Sequence, residues 1–544
     1  MLIDAEKNTI STPPINPEPG RGQYLVDPSF CTLGDVVLRL RVVVFSLSCR
    51  KKAWVVLYCK CRKPIRIGEV KKVEDNRIAT HPILAWNRGN PVHVTYDGRQ
   101  ITAYPQETVA MALYASGVKQ YSTSSRFYRP RGMFCAIGKC SSCMMRVDGI
   151  PNTRTCVLQV RDGMEVETQH GDGKFPDVQA AMKGVKEKNA EILVIGGGPA
   201  GLEASLWAAK AGADVILLDQ NPKLGGQLVK QTHKFFGSAK ENAGTRGVTI
   251  AKKLIEEVVA TSNITVYSGF TAFGWFQGSV CAADQDHAVL FHPRKVIVAT
   301  GAAEKMLMFK NNDMPGVFGA GAAQTLMNVY GIKPGNKVLM VGAGNVGLIV
   351  SYQLMQAGIE VVGVIEGAPR VGGYLVHASK IARNGVRIMT RHTVLEAVGT
   401  DHVEAAIIAE VDEKWQPIPG TEQRVECDTI CLSAGLKPST ELLEQAKLDL
   451  AYTGELGGWV AKRNWAMRTS NPDIFAAGDA SGIEEASTAM MEGKIAGLQA
   501  AYDLGHMDVP VEEQKETRHN LDDLRAGPFG VKICIGLKCV EVLE

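Results

Sequence analysis

Apolar and polar positions alternate along PVHVTYDGRQITAYPQET, residues 91–108, on either side of Asp97-Gly98. Period-two alternation predicts half-buried strands, and an Asp-Gly pair between two of them predicts a tight hairpin. Thr108 stands where a helix N-cap belongs. Val109, Ala112 and Leu113 then recur at helical spacing, and Gly117 is placed to end the helix. Further on the pattern changes. EILVIGGGPAGLEASLWAAKAGADVILLD and KVLMVGAGNVGLIVSYQLMQAGIEVVGVIE each read as a continuous apolar strand, a glycine turn, a helix and a second apolar strand. Strands without alternation are covered on both faces, so these stretches predict parallel βαβ units. CDTICLSAG reads as another core strand in which Cys427 and Cys431 serve as small hydrophobes. No run of eighteen apolar residues occurs; the nearest, VVLRLRVVVFSLSCRKKAWVVLYC, is broken by Arg39, Arg41 and a basic triplet, so no membrane span is expected.

The two glycine turns carry chemistry. In the first, Ile192–Ile195 runs into Gly196, Gly198 and Gly201, which permit a tight turn, a close approach of pyrophosphate and packing of helix on strand. Asp219 ends the next strand, where it can meet a ribose. A bare G-x-G-x-x-G says little, but strand, helix, strand and terminal acid in that order form a dinucleotide fingerprint. In the second, Val338–Val341 precedes Gly342, Gly344 and Gly347, and Glu366 ends the following strand. An acid there favours an unphosphorylated ribose, NAD over NADP. A glycine turn can also outlive its ligand as a packing device, so this unit is left open between NAD, ATP or ADP, and no occupant.

Residues 134–156, FCAIGKCSSCMMRVDGIPNTRTC, gather Cys135, Cys140, Cys143 and Cys156. Gaps of four, two and twelve residues match plant-type [2Fe-2S] spacing. Structural zinc more often pairs two Cys-x-x-Cys knuckles, and only Cys140 and Cys143 form one. Gly138, Ser141 and Ser142 suit a backbone that wraps closely and points N–H groups at sulfur. Hairpin, helix and cysteine loop follow in the order of a ferredoxin-type domain.

The 544 residues suit three or four domains, and 45% hydrophobic with 22% charged is ordinary for a globular chain. Thirteen cysteines behind a start, MLIDAEKNTI, without a secretory core point to a reducing compartment, so a cytoplasmic protein is expected. The net charge of +3 hides a local excess, because residues 39–72 hold eleven Lys and Arg against Glu69 alone. Aromatic residues are sparse there, which favours a solvated extension over a nucleic-acid or membrane patch. Cys31, Cys49, Cys59 and Cys61 are irregularly spaced and stay unassigned, and Cys534 and Cys539 lack a second pair.

Between the two units KVIVATG ends at Thr300-Gly301, candidate cofactor-binding residues, and far downstream DIFAAGDA puts Gly478 and Asp479 just after an apolar strand and resembles the motif by which two-dinucleotide flavoprotein reductases hold the ribityl-pyrophosphate side of the flavin. By that resemblance FAD belongs to the first unit, which the second interrupts. Disulfide reduction is excluded, since it needs a dithiol beside the flavin and residues 202–340 contain only Cys281. From about His81 onward the chain resembles the alpha subunits of dye-linked L-proline dehydrogenases and heteromeric sarcosine oxidases, with related opine oxidase and hydrogen cyanide synthase subunits. RPRGMFCAIGKCSSC, MPGVFGAGAAQTLMNVYGIKPG, GGYLVHASKI, AAGDASGIEEASTAMMEGKIAG and LRAGPFG carry the resemblance. Residues 1–80 have no counterpart in it, and VKICIGLKCVEVLE has cysteines where charge is expected.

The resemblance implies a hetero-oligomer. A flavoprotein beta subunit would oxidise a secondary amino acid and pass electrons through this chain to a carrier or dye acceptor; some relatives also hold FMN between subunits. A self-contained NADH-dependent reductase and a nucleotide-filled scaffold remain the alternatives. No catalytic residue is assigned. The expected fold is α/β: a two-dinucleotide-binding-domain flavoprotein with Rossmann-like FAD and NAD units behind a ferredoxin-like [2Fe-2S] domain. The expected division is a basic extension (1–80), the cluster domain (81–172), a linker (173–190), the FAD unit (191–328 and 435–505) around the inserted nucleotide unit (329–434), and a tail (506–544).

Overall fold

The computed structural model describes residues 75–174, 184–235, 242–527 and 530–542, with the backbone of five short strands before them. The chain forms two compact units, Met1–Glu74 and Asp75–Glu544. In the first, Leu2–Asp4 pairs with Thr9–Ser11, and Arg41–Phe45, Trp54–Tyr58 and Pro64–Ile67 form an antiparallel sheet. Cys31, Cys49, Cys59 and Cys61, with most of the basic stretch and linker residues 175–183, lie outside the described residues.

The second unit opens with the cluster domain. Val92–Tyr96 and Arg99–Ala103 pair antiparallel with Tyr96 opposite Arg99, and Asp97 and Gly98 both take positive φ, as the two-residue hairpin requires. Glu165–Glu167, Met144–Val147 and Ile150–Arg154 complete a five-stranded sheet. All seven residues of the helix Val109–Ala115 are buried, and Met111, Leu113 and Tyr114 contribute about 2 kcal/mol each by leaving water. Thr108 occupies the N-cap position, but its hydroxyl makes no cap. The carbonyls of Leu158 and Thr155 accept the first helical N–H groups instead, at 2.8 and 3.0 Å, so the chain around Cys156 caps this helix. Residues 75–80 belong to the same body: Asn76 N–H donates to the Ala115 carbonyl at 2.9 Å, and Ile78 is buried.

Two sheets with parallel cores follow, the first of them extended beyond Ala288–Val298 by an antiparallel hairpin, Ser279–Ala283 and Thr271–Phe276. Ile264–Ser268, Val215–Asp219, Lys186–Ile195 and Ala288–Val298 lie side by side in the first, with Ile474–Ala476 joining from far along the chain. Helices Pro199–Lys210 and Ala486–Asp503 pack together against it. The second sheet runs Val317–Gly319, Thr429–Leu432, Lys337–Val341, Glu360–Glu366, Ile388–Thr390, all parallel. Val317–Gly319 thus joins the second sheet before residue 329. The two crossings between the sheets, Ala302–Glu304 and Leu436–Pro438, pair antiparallel as a two-stranded tie.

Candidate cofactor sites

The two glycine turns are built alike, hydrogen bond by hydrogen bond. Gly196 N–H donates to the Leu218 carbonyl at 2.8 Å and Gly342 N–H to that of Ile365 at 2.7 Å. Both glycines have φ above +100°, and a Cβ on either would strike a backbone carbonyl oxygen, of Ala299 at 2.2 Å or Ser433 at 2.3 Å. Gly201 and Gly347 press their helices on the turn so closely that a Cβ would lie 1.7 or 2.0 Å from the oxygen of Gly196 or Gly342. Gly198 and Gly344 stand at the helix N-termini with open space in front of them, where a phosphate can approach N–H groups.

The terminal acids hydrogen-bond back onto their own turns. Asp219 Oδ2 accepts from Gly197 N–H at 2.6 Å and Oδ1 from Asn221 N–H at 2.7 Å. Glu366 repeats this with Ala343 at 2.7 Å and Ala368 at 2.9 Å. Each carboxylate braces its own turn; Asp219 Oδ1 also accepts from Asn221 Nδ2 at 2.9 Å, so Asp219 Oδ2 and the two Glu366 oxygens are the atoms that keep a lone pair a ribose hydroxyl can use. A second glycine pair packs over each turn as well: Gly225 N–H donates to the Gly197 carbonyl at 2.7 Å, and Gly373 N–H to that of Ala343 at 3.0 Å.

Gly196, Gly198, Asp219, Thr300, Gly301, Gly478 and Asp479 line one cavity of about 680 Å³, so residues far apart in the sequence converge on it. Burial pushes Asp479 up to about 7, with Glu492 and Glu484 nearby adding to the effect. Beneath it lies a buried network. Glu492 accepts from Gly478 N–H (2.9 Å) and Ser481 Oγ (2.8 Å) through Oε2, and from Arg463 (2.9 Å) and Arg525 (2.7 Å) through Oε1. Glu492→Ala would leave two buried guanidiniums without their shared acceptor, an expected loss of about 3–5 kcal/mol. Denaturant titration checks this, and since Gly478 loses its acceptor, bound flavin should fall with it.

The cysteine loop enters the same cavity. Ala136, Ile137, Gly138 and Lys139 are part of its lining, and Gln220 Nε2 donates across the junction to the Ile137 carbonyl at 3.0 Å. Positive φ at Ala136, Gly138 and Ser141 curls the backbone, which turns Gly138 N–H onto Cys156 Sγ (3.2 Å) and Lys139 N–H onto Cys135 Sγ (3.4 Å). Cys135, Cys143 and Cys156 are buried and Cys140 is half-buried. Sulfur contacts join Cys135 to Cys140 and Cys156, and Cys143 to Cys156. Among the described residues no three His, Cys, Asp or Glu close around a single ion. Four converging thiols with N–H donors fit a binuclear cluster, whose irons share the ligands between them.

From the unit built around the second glycine turn, Asn345, Val346, Tyr374 and His377 reach the cavity too. Tyr374 N–H donates to Asn345 Oδ1, and its hydroxyl to Glu485 Oε1, both at 2.8 Å, tying this unit to the helix that follows Asp479. No cysteine is found among the described residues lining the cavity, and Cys281 lies in the first sheet whereas Cys427 and Cys431 are buried at the second.

Residues 190–493, more than half of the chain, match the family of pyridine nucleotide-disulphide oxidoreductases. The chain belongs to this family. Residues 89–171 match a 2Fe-2S iron-sulfur cluster binding domain. The oxidoreductase is accordingly an FAD and [2Fe-2S] protein, and the expected fold class is borne out. The sarcosine oxidase alpha subunit of Corynebacterium sp. (strain U-96) is 28% identical over 403 residues, 69% of this chain and 40% of its own. An opine oxidase subunit of Agrobacterium tumefaciens (strain Ach5) is 28% identical over 58% of this chain and 66% of its own. L-proline dehydrogenase from P. horikoshii shares the fold, with a TM-score of 0.63 over 81% of this oxidoreductase and 79% of that chain at 24% identity. The family resemblance read from the motifs is thereby borne out. The chain spans about 40–45% of the length of the sarcosine oxidase alpha subunits it matches. No described helix is long and apolar enough to cross a membrane.

Proposed function

We propose that this chain is the electron-relaying alpha subunit of a heteromeric dehydrogenase for a secondary amino acid of the proline, hydroxyproline or sarcosine class. The observation that carries the reading is the shared cavity: the turn at Gly198, the Gly478-Asp479 loop and the Ile137–Lys139 segment of the cysteine loop all face it. In the reading, Gly196, Gly198, Asp219, Thr300, Gly301 and Asp479 hold FAD, and Cys135, Cys140, Cys143 and Cys156 hold the cluster. The flavin exchanges one or two electrons and the cluster one, which converts a two-electron amine oxidation into single steps. The chain's part is to hold the two groups close together, to shield them with the buried helix Val109–Ala115 and the two-stranded tie, and to pass electrons to an external one-electron acceptor. The amino-acid site is assigned to a partner flavoprotein.

A second reading has support in the second glycine turn, which opens on the same cavity through Asn345 and Val346. With Gly342, Gly344, Gly347 and Glu366 holding NADH there, the chain would be a self-contained reductase. The full chain, checked for FAD and iron, separates the two. Dye reduction with proline, hydroxyproline or sarcosine is expected only after a candidate partner flavoprotein is added. Turnover of an amino acid by the loaded chain alone would overturn the relay reading, and rapid NADH oxidation by it would favour the second.

A further inference from the structure

Two charged side chains in the cavity wall are not used by any of the motifs. Lys230 is buried, and its Nζ donates to the Gly321 carbonyl at 3.0 Å and to Thr325 Oγ1 at 3.1 Å. Gly321 N–H in turn donates to Glu304 Oε1 at 2.6 Å. The ammonium and the carboxyl therefore grip one residue through its carbonyl and its N–H. Glu304 Oε2 is buried against Gly319 and has no hydrogen-bond partner. Both side chains line the cavity that Gly198, Thr300 and Asp479 line, and both lie close enough to Cys135 to feel its charge.

An oxygen buried without a donor makes the charged carboxylate costly and the neutral acid favourable. Burial pushes Glu304 up to about 7 and Lys230 down to about 8, the ammonium opposing the shift of the acid. Lys230, Cys135 and Cys431 are the titratable groups that bear on Glu304. A carboxyl in this setting gains and loses a proton near neutrality. The relay needs such a group, because a cluster accepts electrons without protons while a reduced flavin carries both.

We propose that Glu304, held beside Lys230, is the base that takes the proton of the reduced flavin as its electrons leave for the cluster. This rests on the relay reading above. In the anionic two-electron-reduced flavin one N–H bond breaks as the electrons leave, and one O–H bond forms at the Glu304 carboxylate, which lines the cavity. The two electrons reduce the oxidised cluster in successive single steps, the external one-electron acceptor clearing the cluster between them. The acid then releases its proton to water through the cavity, and Lys230 keeps the carboxylate accessible for the next cycle.

The test uses the full chain loaded with FAD and iron. The visible band of the oxidised flavin should shift with a midpoint near pH 7 in the wild type. Glu304→Gln, which keeps an oxygen for Gly321 N–H, should abolish that shift. After flash reduction of the flavin, cluster reduction should slow on the order of 10²-fold in Glu304→Gln, as loss of a positioned base predicts, and recover in part in Glu304→Asp. Transfer in Glu304→Gln as fast as wild type would overturn the proposal. So would a wild-type flavin band that does not titrate between about pH 5 and 9, a measurement that needs no variant. If the wild-type cluster takes no electrons from the reduced flavin, the relay reading itself falls and this assignment with it. A fast Glu304→Gln variant sinks the assignment alone.

Discussion

Cys156→Ser should emerge from purification with FAD bound and with iron and labile sulfide reduced about tenfold or more. Thiolates bind iron because they are deprotonated at neutral pH, whereas a serine hydroxyl would have to surrender a proton far above that range. The position also does structural work around the cluster. Cys156 is buried, accepts Gly138 N–H, and follows Thr155, whose hydroxyl donates to the Cys143 carbonyl at 2.6 Å. It therefore links the tight loop Cys135–Cys143 to the strand Ile150–Arg154 and, through the Thr155 carbonyl, to the start of the helix Val109–Ala115. Serine keeps the volume nearly unchanged, so the sheet and helix should survive. Cys135→Ser, Cys140→Ser and Cys143→Ser should give the same loss. Full iron and sulfide in Cys156→Ser would remove that residue from the ligand set and leave the twelve-residue gap without a purpose.

Local patterns made much of this molecule legible. The hairpin at Asp97-Gly98 is written in two adjacent residues and an alternation, and the glycine turns need only a strand, a spacing and a helix. Each is a short-range arrangement whose physics is complete within some thirty residues. What stayed hidden depends on partners far away in sequence. Nothing near Thr108 says that the Leu158 and Thr155 carbonyls will cap its helix. Nothing near Val317 says that it will pair with Ile430 in the second sheet. Lys230 and Glu304 are ordinary surface residue types until the fold brings Gly321 between them. The brace made by Asp219 and Glu366 was half visible: the sequence places an acid at the end of each strand, but its bond back to the turn depends on three-dimensional closure. GGQL and GGYL did carry a signal, since both follow an acid-ended strand, and a comparison of the two halves of the sequence would have found the paired brace at Gly225 and Gly373.

Gly198→Val should lose FAD while keeping the cluster and the fold. The position tolerates a side chain as far as the protein is concerned: Gly198 has φ −80° and ψ −171°, a region open to any residue, and an added Cβ would come no closer than 3.9 Å to Gly226 Cα. What a branched side chain would fill is the space before the helix N-terminus, where pyrophosphate must reach the N–H groups. Displacing a phosphate from such donors should cost on the order of 10²-fold or more in affinity, since about 3 kcal/mol of charge-assisted hydrogen bonding is at stake. Gly201→Val would be the wrong probe, because its Cβ would collide with the Gly196 oxygen and damage the turn itself. Gly344→Val supplies the matched control. Gly344 has φ −73° and ψ 178° with nothing within 4 Å of an added Cβ, so this variant should retain both FAD and iron and lose only the ligand of the second turn. Absorbance reports the flavin and cluster bands together, and calorimetric titration of wild type and Gly344→Val with NAD and with ATP reports the second site. Stoichiometric FAD in Gly198→Val would mean that the flavin lies elsewhere. Loss of FAD from Gly344→Val would reverse the assignment of the two turns, and with it the side of the shared cavity from which electrons reach the cysteine loop.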